Sequence, residues 1–543
     1  MVRLFLDNGS GERPELDLMA DSFPELSRTN PFLTNEGSQS IPFTLPASKG
    51  NLEKLDFPQR PALSVRKNTK PKAILSDGTA WIQGTLYIES VNLQEGITCT
   101  FYTNEGRLYE KLKGYYLRDI SWDMIGSESN TVDDLMNVFN DQINGVKEED
   151  EKYLLCSAGT SKDFFISKDN PSQLNFYMLL NELEYDGNVP KLVGRKERVY
   201  YDDDTDSATE ITIPKGYGVT PFMRLSYVLR KIFEEIGYTP VFENFNNDIS
   251  FNRIVILNNI ADSCVKGYVN PKDILPDISL EDFINSVRIK FGMEFIEVNG
   301  SVYWRSWQET CKKIPDFDIK SVNYPTLTYE DAQAINMELN YLTDEGKPSS
   351  VSTKHNNPSD IKAYDISFND YTPVVSLFIS QYAYNISGNM APLWSVSPMV
   401  GDVAHINTTL YVDEEEEEDN NEMIGLTFCF AVKGVKQSSG QDYSYPYLEG
   451  SVSNYSGLNK WGNFDLLITG IYDNFYENRD EMLQKANQQI IVEAKMPAHL
   501  INTMDVSTPK VLDDVKVLIE RIDYVLGKEE LCQVTARTLE PML

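Results

Sequence analysis

The sequence is poor in the residues that usually carry chemistry. Only three histidines occur in 543 residues, His355, His405 and His499, each about fifty or more positions from the next. Zinc sites draw on closely spaced His/Cys pairs, and no such pair exists here. Six cysteines (Cys99, Cys156, Cys264, Cys311, Cys429, Cys532) stand 47 or more residues apart, with no Cys-x-x-Cys. They read as free thiols of a chain made in a reducing cytosol. There is no Gly-x-Ser-x-Gly elbow, no phosphate loop and no full dinucleotide fingerprint. Gly216-Tyr217-Gly218 lacks the third glycine, and Pro221 follows at once, so it reads as a turn. The reading therefore assigns no catalytic residue, no cofactor-binding residue and no metal ligand, and expects a protein that is not an enzyme. A Ser-His-Asp set drawn from distant positions, or a carboxylate pair hidden among 82 acidic residues, stays open on sequence alone.

Positive charge is also scarce. Lys+Arg number 49 against 82 Asp+Glu, a formal net charge of −33. Nucleic-acid affinity comes mainly from cations that neutralise phosphates, so stable nucleic-acid binding is not expected. Anionic membrane surfaces are disfavoured by the same balance. No stretch approaches the ~18 apolar residues of a membrane span, and Met1-Val2-Arg3-Leu4-Phe5-Leu6-Asp7 falls far short of a signal peptide core. The expectation is a soluble product without an evident leader.

What is present is an ordinary globular balance, 41% hydrophobic and 24% charged, rich in Tyr (30) and Phe (25). Aromatics favour strands and large contact surfaces. The length exceeds what one core sustains, which argues for roughly three to five domains.

Residues 1–120 read as short strands cut by turns. Ile41-Pro42-Phe43-Thr44-Leu45-Pro46 must be extended, because its prolines exclude a helix. Ile74-Leu75 runs into the turn Ser76-Asp77-Gly78. Thr85-Leu86-Tyr87-Ile88-Glu89 and Ile97-Thr98-Cys99-Thr100-Phe101-Tyr102 supply further strands. Their spacing of about 8–12 residues suits a small barrel or sandwich. Residues 121–215 are mixed, with a helix start at Thr131 and strand with loop over 157–173. Asp202-Asp203-Asp204-Thr205-Asp206 places carboxylates at alternate positions, as cation sites do, but fails the EF-hand pattern; a solvated acidic loop is the simpler reading.

Over 216–320 the pattern is a compact α+β module. Thr220 as N-cap and Pro221 as first residue predict a helix through Phe222, Leu225, Val228, Leu229, Ile232, Phe233 and Ile236 to Gly237. Ser279, with Asp282 three residues on, opens a second helix carrying Leu280, Phe283, Ile284, Val287 and Phe291. Phe295-Ile296-Glu297-Val298, Asn299-Gly300 and Ser301-Val302-Tyr303-Trp304 form a hairpin. Residues 321–543 return to strands, including 427–432 and 465–469, then Val515, Val517 and Ile519 paired antiparallel with Cys532, Val534 and Ala536 across a Gly527 turn. An insertion near 380–460 holds the acidic run Asp413-Glu414-Glu415-Glu416-Glu417-Glu418-Asp419. It reads as a solvated loop, with a cation-attracting tip as the alternative. The fold class expected is mainly β, two small β-barrel-like domains (1–120 and 321–543) flanking the α+β module.

Several stretches resemble tail hub and baseplate minor proteins of tailed phages of Bacteroidetes-type hosts. They are Asn30-Pro31-Phe32-Leu33-Thr34 with 38–46 and Asn51-Leu52, Ile74-Leu75-Ser76-Asp77-Gly78, Gly84-Thr85-Leu86, and Phe101-Tyr102-Thr103-Asn104-Glu105-Gly106. Further on come Ile274-Leu275-Pro276-Asp277-Ile278-Ser279-Leu280-Glu281-Asp282-Phe283-Ile284 and Lys516-Val517-Leu518-Ile519-Glu520-Arg521-Ile522. Each is a turn or a cap with apolar flanks; their order across the chain carries the resemblance, and 330–470 matches no such pattern. The resemblance implies a structural tail-tip protein whose homotrimer ring joins tail tube, distal tail protein and tape measure to spike or fibre proteins. It would sit in the virion after assembly in the host cytoplasm, and its acidic lumen would not retain passing DNA. Two alternatives remain: a carbohydrate-binding adhesive protein using Tyr303, Trp304 and Trp307, and a tail-associated cell-wall hydrolase.

Overall fold

The computed structural model describes residues 2–7, 11, 13–19, 24–33, 39–60, 70–103, 108–160, 178–186, 189–192, 198–202, 207–211, 214–242, 249–298, 300–329, 331–342, 348–354, 361–373, 377–384, 390–397, 399–401, 403–406, 422–438, 441–449, 466, 468–484, 488–527 and 531–539. Strands dominate. Among the described residues fourteen of them join one sheet: β1 (Arg3–Leu6), β2 (Glu15–Leu16), β3 (Glu25–Thr29), β4 (Gln39–Ser40), β5 (Phe43–Leu45), β6 (Lys72–Ser76), β7 (Trp81–Asn92), β8 (Gly96–Thr103), β9 (Asp318–Ile319), β10 (Thr326–Tyr329), β11 (Gln488–Ala494), β12 (Lys510–Leu512), β13 (Val515–Val525) and β14 (Cys532–Thr538).

Their order is β2-β1-β6-β7-β8-β4-β3-β13-β14-β11-β10, with β5 on β8, β12 on β13 and β9 on β12. The path is open, ending at β2 and at β10. This corrects the expected pair of barrels. Among the described residues no sheet closes, and strands from the two ends of the chain meet in the middle of the same sheet. The joint is β3 against β13, antiparallel, with Leu26 opposite Tyr524 and Arg28 opposite Ile522. One apolar core then serves both ends: Leu4, Leu75, Leu86 and Phe101 pack with Ile490, Val517, Ile519 and Val534. Apolar area leaves water only when both contributors are in place, so neither end can complete this core alone.

Local chemistry accounts for the hairpins. The β6–β7 turn uses Gly78 at φ +94°, and Asp77 accepts the N–H groups of Thr79 and Ala80 at 2.8 and 2.7 Å. The expected pairing near the end is present as β13 with β14, Ile519 opposite Ala536. A bulge falls at Glu520, whose carboxylate accepts Arg537 Nε at 2.9 Å.

The central module holds the largest apolar cluster. Helix α1 (Val132–Ile143) starts on the capping box Thr131/Asp134. Helix α2 covers Leu225–Glu235 and α3 covers Leu280–Lys290. Ser279 caps α3 as expected, accepting the Asp282 N–H at 3.0 Å. The start of α2 is a correction. Phe222–Arg224 is a strand, with Met223 opposite both Tyr153 and Ile256. Thr220 is fully buried and does not cap: its hydroxyl donates to Asn258 Oδ1 at 3.0 Å. Pairing with two neighbouring strands outweighs the local helix signal. A second correction lies at 465–469, expected as a strand. Ile468–Ile471 is helical and continues through a widened turn, Tyr472–Tyr476, into the helix Glu477–Gln484. Ile471, Phe475, Tyr476 and Met482 recur at helical spacing and are buried, which turns that side inward.

Candidate functional site

Among the described residues polar groups concentrate in several places, and three of them hold buried charges or a histidine. The first is the clamp between the chain ends. Asn30, fully buried, donates through Nδ2 to the carbonyls of Val506 and Ile519, both at 2.7 Å, and its own Oδ1 accepts the Phe32 N–H at 3.0 Å. Beside it lies a loop held by Asp505. That carboxylate accepts the Ser507 N–H at 3.1 Å, the Ser507 hydroxyl at 2.5 Å and the Arg305 guanidinium. Burial works to raise the Asp505 carboxyl. The Ser507 hydrogen bonds and the nearby Arg305 charge outweigh it and hold the carboxyl below the usual range. Lys510, fully buried, donates to Asp316 Oδ1 at 2.5 Å, the Asp505 carbonyl at 2.7 Å and Thr508 Oγ1 at 2.6 Å. Three donors meet three acceptors, so this ammonium is fully used.

The second place is an ion pair sealed in the central core. Lys290, the last residue of α3, reaches Asp370 Oδ2 at 2.9 Å, and both side chains are 0% exposed. Lys290 also donates to Thr372 Oγ1 at 2.8 Å and lies 5.2 Å from the Phe368 ring centroid. Asp370 Oδ1 has no hydrogen-bond partner in another residue among the described residues. Burial pushes the Lys290 ammonium down and the Asp370 carboxyl up, each partly offset by the other's charge.

The third is Tyr217 with His405. Gly216 and Gly218, at φ +84° and +83°, turn the chain so that Tyr217 Oη sits 2.8 Å from His405 Nε2. The rings also stack at 5.6 Å. No nucleophile stands ready there: Ser263 Oγ donates to the Val219 carbonyl at 3.0 Å, and burial pushes the Cys264 thiol up to about 12. The pair closes a buried polar corner with Asp262, whose Oδ1 accepts the Ile406 N–H at 2.8 Å.

The other sequence candidates do not converge. His499 is exposed on the helix Ala498–Thr503, and His355 lies outside the described residues, as do 203–206 and 413–419. Tyr303, Trp304 and Trp307 do not form a surface platform. Trp304 is buried among Phe251 and Phe295 at 5.3 Å each, and Trp307 is buried edge-on to Phe32 at 5.0 Å. Among the described residues no three His, Cys, Asp or Glu side chains are grouped to hold a metal ion. No helix among them is long and apolar enough to cross a membrane. A surface cleft of about 460 Å³ is lined by Asp123, Glu151, Lys152, Tyr227, Arg230 and Lys231. Two ion pairs cross it, Lys231 with Asp123 at 2.8 Å and Arg230 with Glu151 at 3.5 Å. A partly open pocket beside Glu149 and Tyr153 has a cavity volume of only about 30 Å³.

No protein-family model and no curated protein matches the chain. Among solved structures, the prophage tail protein gp18 from Listeria monocytogenes overlaps 99% of this chain and 94% of its own length, at 8% identity and a TM-score of 0.36. The 43 kDa tail protein of prophage MuSo2 from Shewanella oneidensis overlaps 99% and 98%, at 7% identity and a TM-score of 0.30. At TM-scores below 0.5 these overlaps carry no argument about this chain.

Proposed function

We propose that the chain is a structural, non-catalytic component of a phage or phage-like tail, placed at the tail tip as a hub that joins the tube to spike or fibre parts around a channel. The support is where the motifs that resemble tail-hub proteins fall in the fold. Asn30, from the first motif, binds the carbonyl of Ile519, from the last, at 2.7 Å. Ser76-Asp77-Gly78 makes the β6–β7 turn, and Ser279 with Asp282 caps α3. These stretches thus lie at joints of the fold. The −33 charge supports a lumen that releases rather than retains DNA.

The test is the mass in solution by light scattering coupled to size exclusion. A ring predicts copies in multiples of three, a trimer near three times 61.8 kDa or a hexamer. A monomer or a dimer overturns the ring.

A further inference from the structure

Lys290 and Asp370 meet under conditions that favour more than an ion pair. Nζ lies 2.9 Å from Oδ2, one bond from the carboxyl carbon, and both side chains are 0% exposed. Neither carboxylate oxygen has a well-aligned hydrogen bond from another described residue. Buried charges offset their desolvation only when such bonds satisfy the remaining lone pairs. The amine, by contrast, is held in place. Thr372 Oγ1 accepts from Nζ at 2.8 Å while donating to the Leu466 carbonyl at 3.3 Å, and the Phe368 ring centroid lies 5.2 Å from Nζ. Lys290 ends α3 and Asp370 lies in the strand Lys362–Pro373, so regular structure fixes both backbones.

We infer that the folded chain joins Lys290 to Asp370 by an intramolecular amide bond, formed without an enzyme from the ion pair in which the chain first folds. A proton passes from Nζ to the carboxylate, leaving a neutral amine and a neutral acid. Burial pushes the ammonium down and the carboxyl up, which favours that transfer. The amine lone pair attacks Cγ and the Nζ–Cγ bond forms. Nζ then gives a second proton to a carboxyl oxygen, and that Cγ–O bond breaks to release water. Nothing is oxidised or reduced, and no co-reactant enters. Two buried charges and one buried acceptor give way to a neutral amide, which a core without water favours over the separated ions. Well-oriented intramolecular reactions reach effective molarities of about 10⁵–10⁸ M, which offsets the lack of an activated acyl group. The bond fastens α3 to a strand distant in sequence and does not rest on the tail reading.

The test is the mass of the intact wild-type chain, denatured for mass spectrometry at intervals over days after folding. A species lighter than the 61.8 kDa chain by one water should accumulate, and its digest should contain a branched peptide joining Lys290 to Asp370. A sample kept in urea throughout should hold its full mass, because only the fold brings the two groups together. Lys290→Met/Asp370→Leu, which lacks both reacting groups, should give no branched peptide. A folded wild-type chain of unchanged mass overturns the inference, as does equal loss of water in urea. A water loss that maps to a succinimide at Asp77-Gly78 or Asp186-Gly187, with no branched peptide, overturns it too.

Discussion

Replacing Lys290 by Met should be among the most damaging single changes in the chain. The substitution keeps the apolar stem and removes the ammonium, leaving Asp370 in a core where both side chains are 0% exposed and where no other described residue hydrogen-bonds its Oδ1. Removing one partner of a buried pair costs about 3–5 kcal/mol, because the charge left behind must be neutralised or solvated. With a urea slope near 2 kcal/mol/M for the cooperative unit, a loss of 4 kcal/mol moves its midpoint down by about 2 M. Trp304 sits in the same apolar cluster as α3, so its fluorescence reports the relevant transition. The companion Lys290→Met/Asp370→Leu removes both charges and should recover most of the loss, since well-packed apolar replacements of buried pairs are often neutral or stabilising. A single variant with a midpoint within about 0.3 M of wild type, or a double variant less stable than either single one, would refute the reasoning.

The clamp predicts that Asn30→Ala strands the carbonyls of Val506 and Ile519 and costs about 2–4 kcal/mol, visible as a lower urea midpoint; a loss below about 1 kcal/mol contradicts it. Gly84→Ala would put a methyl 2.2 Å from the Tyr102 carbonyl and 2.6 Å from the Phe101 ring, so β7 and β8 must part. A cost of about 1–3 kcal/mol by thermal denaturation is expected. The Asp505 carboxyl is depressed, so its contribution is complete above its unfolded value near 3.9 and is lost as pH falls through the lower folded value. Stability measured from pH 5 to pH 2 should fall less steeply in Asp505→Asn than in wild type, and parallel curves would count against the assignment.

Much of the local structure was legible because it is written within a few residues. Ser279 with Asp282, Thr131 at the start of α1, the Gly78 and Gly300 turns, and the alternation of β13 against β14 each follow from i, i+3 capping or period-two patterning. The misreading at Phe222 came from the same source: a cap-like Thr-Pro pair looks helical until Tyr153 and Ile256 arrive from elsewhere to claim Met223. What was not legible lies between distant positions. Nothing near Glu25 points to Val525, and nothing near Lys290 points to Asp370. Tyr217 and His405 each read as isolated residues, and only the fold brings them to 2.8 Å. The open sheet has the same origin, since alternation tells a strand which face to bury but not which neighbour to choose.

The β3–β13 joint also sets a clock on synthesis. Thr29 and Val515 are separated by most of the chain, and translation at 5–20 residues per second takes roughly 25–100 s to cover that interval. For that time the first strands exist without the partner that covers β3, bearing a half-built core and an open edge. Any ribosome that stalls before β13 releases a chain able to make its central module but not to seal its first hundred residues. The cell's quality control would therefore meet incomplete copies as unfolded amino-terminal ends rather than as frayed carboxyl-terminal ones.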